Sequence, residues 1–240
     1  MHKTKVIKQR SSLDKQSGLS MVELMIAMVL GLIILGSVVN MFLSSSQTYR
    51  LQEAMSRTQE AGRFAMMFML QDLRDAGFQD VLPQTTLRSL DIVAVRGYQA
   101  SDTGLPSAVK SGVTSEIISI PQHDASTETV SYYVAPDAGG GRSLFRNGNA
   151  VVEGIENMTF EYGEDTSSDR VADTYVASGA VTNWANVVAV RIHVLAAGGD
   201  ANVVDVAQGA LPAPFAGVST ADRRLYRVFH NTVVLRNKMP

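Results

Sequence analysis

The chain of 240 residues has no cysteine, and it has no proline before Pro83. The absence of cysteine excludes a disulfide framework, a thiolate metal site and a cysteine nucleophile. The absence of proline leaves residues 1–82 free to form a continuous helix, because every residue there keeps its backbone N–H. Charge is also absent from Leu24 to Tyr49, and up to Phe42 every residue except Asn40 is apolar, glycine or serine. The sequence therefore predicts a long helix whose first half is apolar.

Patterns typical of enzymes and cofactor sites are also missing. There is no Gly-x-Ser-x-Gly turn and no Walker loop, and the glycines at 139–141 lack the lysine and helix that follow a phosphate-binding loop. The four histidines show no metal-binding spacing; they are His2, His123, His193 and His230. After residue 18, no basic cluster indicates nucleic-acid binding. We therefore predict that the protein is not an enzyme, needs no cofactor and binds no nucleic acid.

The charged residues are distributed unevenly, although the net charge of the chain is only −2. Residues 1–18 carry five basic side chains and one acidic side chain, a net charge of +4, whereas the remainder carries 16 basic and 22 acidic side chains, a net charge of −6. Basic residues favour the cytoplasmic side of a membrane segment. We therefore expect a cytoplasmic leader, a single pass through a bacterial inner membrane and a periplasmic head.

One carboxylate, that of Glu23, lies at the entrance to the apolar run. An ionised side chain well inside a bilayer costs roughly 2.5–3.5 kcal/mol, so such a residue is expected to have a function. A cut between Gly18 and Leu19 would make Glu23 the fifth residue of the mature chain, about one helical turn from a new α-amine.

Two ordinary explanations of this N-terminus account for less of it. A secretory signal has an apolar core of about 7–15 residues followed by a small-residue cleavage site, whereas here the apolar run is nearer to about 20 residues and the small residues precede it. A plain signal anchor explains the length and the basic flank, but it gives no reason for Glu23 to follow Ser-Gly-Leu at this distance.

Residues 17–24, Ser-Gly-Leu-Ser-Met-Val-Glu-Leu, together with the basic leader and the apolar run, resemble the prepilin signal of type IV pilins and type II secretion pseudopilins. The resemblance implies cleavage by prepilin peptidase after Gly18, methylation of the amine of Leu19, and a role for Glu23 in subunit assembly. Major pilins usually have phenylalanine at the first mature position, so Leu19 points toward a minor subunit.

Helical periodicity continues beyond the apolar run. Apolar or small residues recur at intervals of three and four, which predicts one helical stripe. The stripe comprises Leu51, Met55, Thr58, Gly62, Met66, Met69 and Leu73. Gly77 is predicted to end the helix, because glycine tolerates the left-handed conformation found at helix ends. Methionines at this spacing are interpreted as core filling rather than as a metal site.

From residue 81 onward, short β-rich runs separated by turn residues replace the helical pattern. The predicted strands are Asp91–Val95, Glu116–Ile120, Thr129–Val134, Ser143–Arg146, Gly154–Tyr162, Val187–Leu195 and Leu225–Leu235. The alternation within the sixth run predicts a half-buried strand, and Asn147-Gly148 predicts a hairpin turn. No long helical crossover separates the runs, so antiparallel pairing is expected.

These expectations combine into an α+β fold, in which a long N-terminal helix packs on a mainly antiparallel β head domain. The helix has a membrane half and an amphipathic half. The predicted parts are a leader at 1–18, a transmembrane or filament-core helix at 19–43, its amphipathic continuation at 44–76 and a periplasmic head at 77–240.

Three head segments, 154–163, 187–195 and 227–237, resemble the PilW type of minor type IV pilin. This resemblance implies a role in initiating or assembling a type IV pilus. The partners it implies are other minor pilins, the major pilin, prepilin peptidase, the inner membrane and an adhesin at the tip. Two alternatives stay open, namely a J-like minor pseudopilin of type II secretion and a membrane-anchored periplasmic binding domain.

The acidic loop at 162–173 is the one candidate metal site. Asp165, Asp169 and Asp173 could supply oxygen ligands to calcium. Their spacing of four differs from the alternate ligands of an EF-hand, and the central glycine is missing. A solvated acidic turn is therefore the simpler interpretation.

Overall fold

The computed structural model describes Gly18, residues 20–78, residues 93–121 and residues 129–238. Apart from Gly18, the predicted leader lies outside these residues. The chain divides into two compact units, Met1–Ser46 and Gln47–Pro240. Helix α1 extends without interruption from Met21 to Asp75, so it begins in the first unit and ends in the second. The proline-free sequence had predicted such a helix, and the structure confirms it.

Two features cap the C-terminal end of α1. Gly77 has φ of +74°, the left-handed conformation predicted for it, and the N–H of Phe78 donates to the carbonyl of Asp75 at 3.0 Å. The side-chain amide of Asn237 donates to the last helical carbonyls, those of Arg74, Asp75 and Ala76, at 3.2–3.3 Å. Carbonyls that the helix leaves without partners are thereby satisfied.

The buried stripe of α1 in the second unit follows the prediction from Thr58 onward, but not before it. The buried residues are Ala54, Thr58, Gly62, Ala65, Met66, Met69 and Leu73. Met55 is 42% exposed, so its predicted place in the stripe is wrong, and Ala54 takes that place. The cause is steric, because the helix backbone at Ala54 lies against Gly198 and Gly199 and leaves no room for a large side chain.

Five strands form the first sheet, an antiparallel meander in chain order. They are β1 (Arg96–Tyr98), β2 (Ile117–Pro121), β3 (Thr129–Pro136), β4 (Arg142–Arg146) and β5 (Asn149–Glu153). The turn between β4 and β5 is the predicted one, with φ of +49° at Asn147 and +80° at Gly148. Positive φ at both central residues is the requirement of a type I′ hairpin turn.

Four strands form the second sheet, which is also antiparallel and has the order β7-β6-β8-β9. They are β6 (Ile155–Glu164), β7 (Thr174–Val176), β8 (Val187–Gly198) and β9 (Leu225–Val234). The structure thus confirms the α+β prediction of a long helix packed on antiparallel sheets.

Two details of the strand prediction are wrong. Residues 91 and 92 of the predicted strand Asp91–Val95 lie outside the described residues, and residues 93–95 are irregular, with β1 beginning only at Arg96. The short strand β7 was not predicted at all. Its three residues are exposed or half-buried and show too little alternation to be recognised.

Strand β8 was predicted to be half-buried, but almost all of its residues are buried on both faces. One face, with Val190, Ile192 and Val194, lies in the main core, which also contains the part of the buried stripe of α1 from residue 65 onward. The other face is covered near its end, where Leu195 packs against Leu211 and Phe215. These two residues belong to the connection between β8 and β9, which supplies a further apolar layer.

A carboxylate connects the two sheets. The N–H of Glu116, just before β2, donates to the carbonyl of Met158 in β6 at 3.2 Å. The N–H of Phe160 in β6 donates in turn to Glu116 Oε2 at 2.8 Å. Glu116 therefore takes the place of a strand partner beyond the end of the short strand β7.

Candidate assembly site

Of the predicted cleavage and assembly residues, Gly18 precedes α1 and Glu23 lies within it. Gly18 is exposed, and Leu19 lies outside the described residues. The carbonyl of Ser20 accepts a hydrogen bond from the N–H of Leu24 at 3.0 Å, which opens the helix just ahead of Met21. Glu23 thus lies in the first turn of α1, where the unpaired N–H groups of the helix favour a negative charge.

The helix that follows exposes a continuous apolar surface in the first unit. All large apolar side chains from Met21 to Leu43 are exposed, with fractions from 49% to 82%. The 18-residue window with the highest apolar content has a mean hydropathy of 2.6, so by length and composition this helix is able to cross a membrane. Exposed apolar surface of this extent marks a segment covered by lipid or by other protein.

Gly31, Gly36 and Ser37 are exposed on the apolar helix. The hydroxyl of Ser37 donates to the carbonyl of Ile33 at 2.9 Å, so its hydrogen-bonding requirement is met within the helix. A Cβ added at Gly31 or Gly36 would meet no atom within 4 Å. These positions are therefore available to an intermolecular neighbour.

The acidic loop is organised by its own backbone. Asp173 Oδ2 accepts hydrogen bonds from the N–H groups of Thr166 and Ser167 at 2.7 and 3.0 Å, and these contacts hold the pKa of Asp173 below its ordinary value. Asp165 accepts from two other N–H groups of the loop, at 2.7 Å each, and Asp169 accepts from the N–H of Val171 at 2.9 Å. The described residues contain no group of three or more His, Asp or Glu side chains placed to hold a metal ion.

Two of the histidines are cross-strand neighbours on the second sheet, and His2 and His123 lie outside the described residues. His193 of β8 pairs directly with His230 of β9, and their ring centroids are 6.4 Å apart. Glu161 lies 3.6 Å from His193 and receives a 2.7 Å hydrogen bond from Arg191. The surroundings of His193 are thus those of a strand residue in a surface ion-pair cluster.

Two family models match the chain, and together they cover the N-terminal segment and most of the head. The prokaryotic N-terminal methylation motif matches residues 13–39, which include Gly18, Leu19 and Glu23. The model of the type IV pilus-assembly protein W, PilW, matches residues 130–237, from β3 to the residues just after β9. Together, these two matches support a PilW-type pilin. Pilins are structural proteins, which agrees with the lack of enzyme motifs in the sequence.

Among solved structures, the chain matches a type IV-like pilin from Thermus thermophilus. The two chains are 13% identical, the TM-score is 0.41, and the match covers 75% of this chain and 97% of that one. Among curated proteins, none matches the chain.

No sequence pattern predicted the contact that joins α1 to the first sheet, a clamp formed by Asp72, Arg146 and Tyr132. Arg146 donates to both carboxylate oxygens of Asp72, at 2.8 and 3.2 Å, and the hydroxyl of Tyr132 donates to the same carboxylate at 2.5 Å. Burial and the Asp72 carboxylate raise the pKa of Tyr132 well above its ordinary value, so its hydroxyl stays protonated. These residues lie 60 to 74 positions apart from Asp72, and no local pattern connects them.

Proposed function

We propose that this PilW-type pilin is a minor subunit that takes part in the initiation and assembly of a type IV pilus. The observation that carries the proposal is the joint occurrence of three features in one chain. These are the methylation motif at 13–39, a helix whose large apolar side chains from Met21 to Leu43 are all exposed, and a carboxylate in the first turn of that helix.

Prepilin peptidase removes the basic leader by cutting between Gly18 and Leu19, and the new amine of Leu19 is methylated. The exposure of Gly18 agrees with access by an enzyme at this bond. The leader is cytoplasmic, the apolar helix crosses the inner membrane once, and the head lies in the periplasm before the subunit enters the pilus.

Glu23 controls joining to the assembly. In lipid or in a filament core, an unpaired carboxylate and an unpaired ammonium are both costly, and pairing offsets both penalties. The Glu23 carboxylate of one subunit pairs with the N-terminal amine of a neighbour and so sets the axial register. Transfer of the exposed apolar side chains of α1 from lipid into the filament costs little free energy, because neighbouring helices provide equally apolar surroundings.

The match to a pilus-assembly family favours a pilus over a secretion machine. Other minor pilins and the major pilin are the proposed partners, with an adhesin at the tip. Neighbouring genes provide an independent check, since pilin-like reading frames accompany a pilus subunit, whereas a secretion operon accompanies a pseudopilin.

Processing is tested by replacing Gly18 with a bulky residue in the cell of origin. Gly18→Val should leave the precursor uncut, because the peptidase must accommodate a side chain where none was present, and Ser20→Val on the other side of the bond is the matched control. Intact-mass and N-terminal mass spectrometry give the readout. Recovery of Leu19 as the N-terminus of the Gly18 variant would show that the cleavage site is assigned wrongly.

A further inference from the structure

One of the four sheet edges in the described part of the chain lacks the usual protection against strand addition. The edges formed by β1 and β7 have three residues each, and β5 has five residues next to an irregular register. Strand β9 has ten residues, all in continuous register with β8, and it contains no proline, no lysine and no bulge. Its one arginine, Arg227, lines a cavity beside α1. Proteins normally shorten, charge or bend an edge of this length.

The register identifies which backbone groups of β9 point away from the sheet. Leu235 donates its N–H to Val188, so by alternation the residues with odd numbers bond to β8 and those with even numbers point outward. Three of the outward groups already have side-chain partners. Gln208 bonds both the N–H and the carbonyl of Tyr226, at 2.6 and 3.2 Å, and the Asn231 side chain accepts from the N–H of Thr232 at 2.8 Å.

Between these two points, Val228 and His230 present their N–H and carbonyl groups without a partner among the described residues. The amide of Gln208 binds Tyr226 as a neighbouring strand would, with one donor and one acceptor. The edge is therefore geometrically ready for a further strand at Val228 and His230, and Asn231 needs only to release one N–H to extend the pairing.

The groove beside this edge specifies the side chains of the added strand. Arg227 and Phe229 point from β9 toward α1, where they line a cavity of about 600 Å³ together with Arg63, Met66 and Glu60. A second cavity of about 450 Å³ shares Arg63 and Met66 and adds Arg74. The two cavities are thus lined by three arginines and one glutamate together with apolar side chains. This local positive charge contrasts with the net charge of −6 for residues 19–240.

We propose that β9 accepts an extended segment of another subunit as a further strand. Every second residue of this segment faces the groove and carries a carboxylate or an apolar side chain, and the residues between them face solvent. The carboxylates meet Arg227 and Arg63, and the apolar side chains cover Phe229 and Met66. Main-chain hydrogen bonds to Val228 and His230 supply the attachment, as in strand addition generally. Symmetric pairing with β9 of a second copy would bring a second set of the same arginines to the groove. The occupant we propose is therefore an acidic segment of a different chain.

The inference rests on the proposed assembly function and is tested in the full chain in its cell of origin. A photo-crosslinking residue at position 232 captures what lies on the edge, and mass spectrometry of the cross-linked peptide identifies the segment. His230→Pro removes an outward N–H without touching the β8 ladder, whereas His230→Ala keeps it. Proline should lower the cross-link yield about tenfold relative to alanine, since one hydrogen bond is worth about 1–1.5 kcal/mol.

The inference is supported if the captured peptide is an acidic, alternating segment of a different pilin-like subunit and proline reduces its yield. Capture of residues 79–92 or 122–128 of the same chain, capture of a second copy, or equal yields for the two variants would each overturn it. Recovery of the chain in sheared pili is measured in parallel. Normal incorporation without a cross-link overturns the strand addition alone, whereas absence from the pilus contradicts the assembly function itself.

Discussion

Replacement of Gly198 by alanine should loosen the packing of α1 against the second sheet. A Cβ at this position would overlap the hydroxyl of Thr58 and the backbone carbonyl of Ala54. A flexible side chain could turn aside, but the carbonyl belongs to the helix backbone, and its carbon lies only 3.1 Å from the added atom. The helix and the strand must therefore separate.

Overpacking of this kind typically costs about 1–3 kcal/mol, and the upper half of that range applies here because backbone is involved. For a domain of this size, each kcal/mol lowers Tm by about 2–4 °C, which gives a decrease of roughly 4–12 °C. The assay is thermal unfolding of the full chain in detergent, followed by near-ultraviolet circular dichroism.

Gly209→Ala is the matched control, because a Cβ there meets nothing within 4 Å. The control should leave Tm unchanged or raise it slightly, since alanine reduces the entropy of the unfolded chain. A Gly198→Ala protein as stable as the control would refute the close helix–strand contact on which the packing account depends.

Two further predictions concern carboxylates that accept backbone hydrogen bonds, half-buried Glu116 and buried Glu164. Burial raises the pKa of Glu116, although the hydrogen bond from the N–H of Phe160 lowers it in part. Glu116→Gln keeps an acceptor and should retain stability near neutral pH, whereas Glu116→Ala should lose about 1–3 kcal/mol of unfolding free energy in denaturant. Equal losses for the two variants would exclude the bridging role. Burial alone would raise the pKa of Glu164, but hydrogen bonds from Thr182 and Asn183 bring it below its ordinary value. A carboxyl whose pKa is lower in the folded than in the unfolded state stabilises the fold above its unfolded-state pKa, and this stabilisation is lost as pH falls. Between about pH 5 and pH 3, the Tm of the wild type should therefore decrease more than that of Glu164→Gln. Parallel profiles of Tm against pH for the two proteins would contradict this.

Local patterns predicted those parts of the molecule that depend on nearby residues. The helix follows from a proline-free sequence and ends at Asp75, just before Gly77 adopts positive φ. The hairpin at Asn147-Gly148 likewise requires only two residues with positive φ. In both cases, a few consecutive residues contain the physical cause.

Features that depend on distant parts of the chain could not be predicted in this way. Met55 has the right spacing for burial, yet Ala54 is buried because a glycine 144 positions later approaches the helix. The second buried face of β8 depends on Leu211 and Phe215, which lie in a connection without regular alternation. The clamp at Asp72 likewise exists only after the first sheet has formed against α1.

The central claim is that Glu23 is the carboxylate through which the subunit joins its neighbours, and co-purification of Glu23→Ala with other pilins from cross-linked membranes tests it most directly. Removing one partner of a buried pair costs about 3–5 kcal/mol, so recovery of neighbouring pilins should fall by about a hundredfold or more, while the amount of chain in the membrane fraction stays normal. Undiminished recovery of the neighbours with the Glu23→Ala chain would contradict the pairing mechanism.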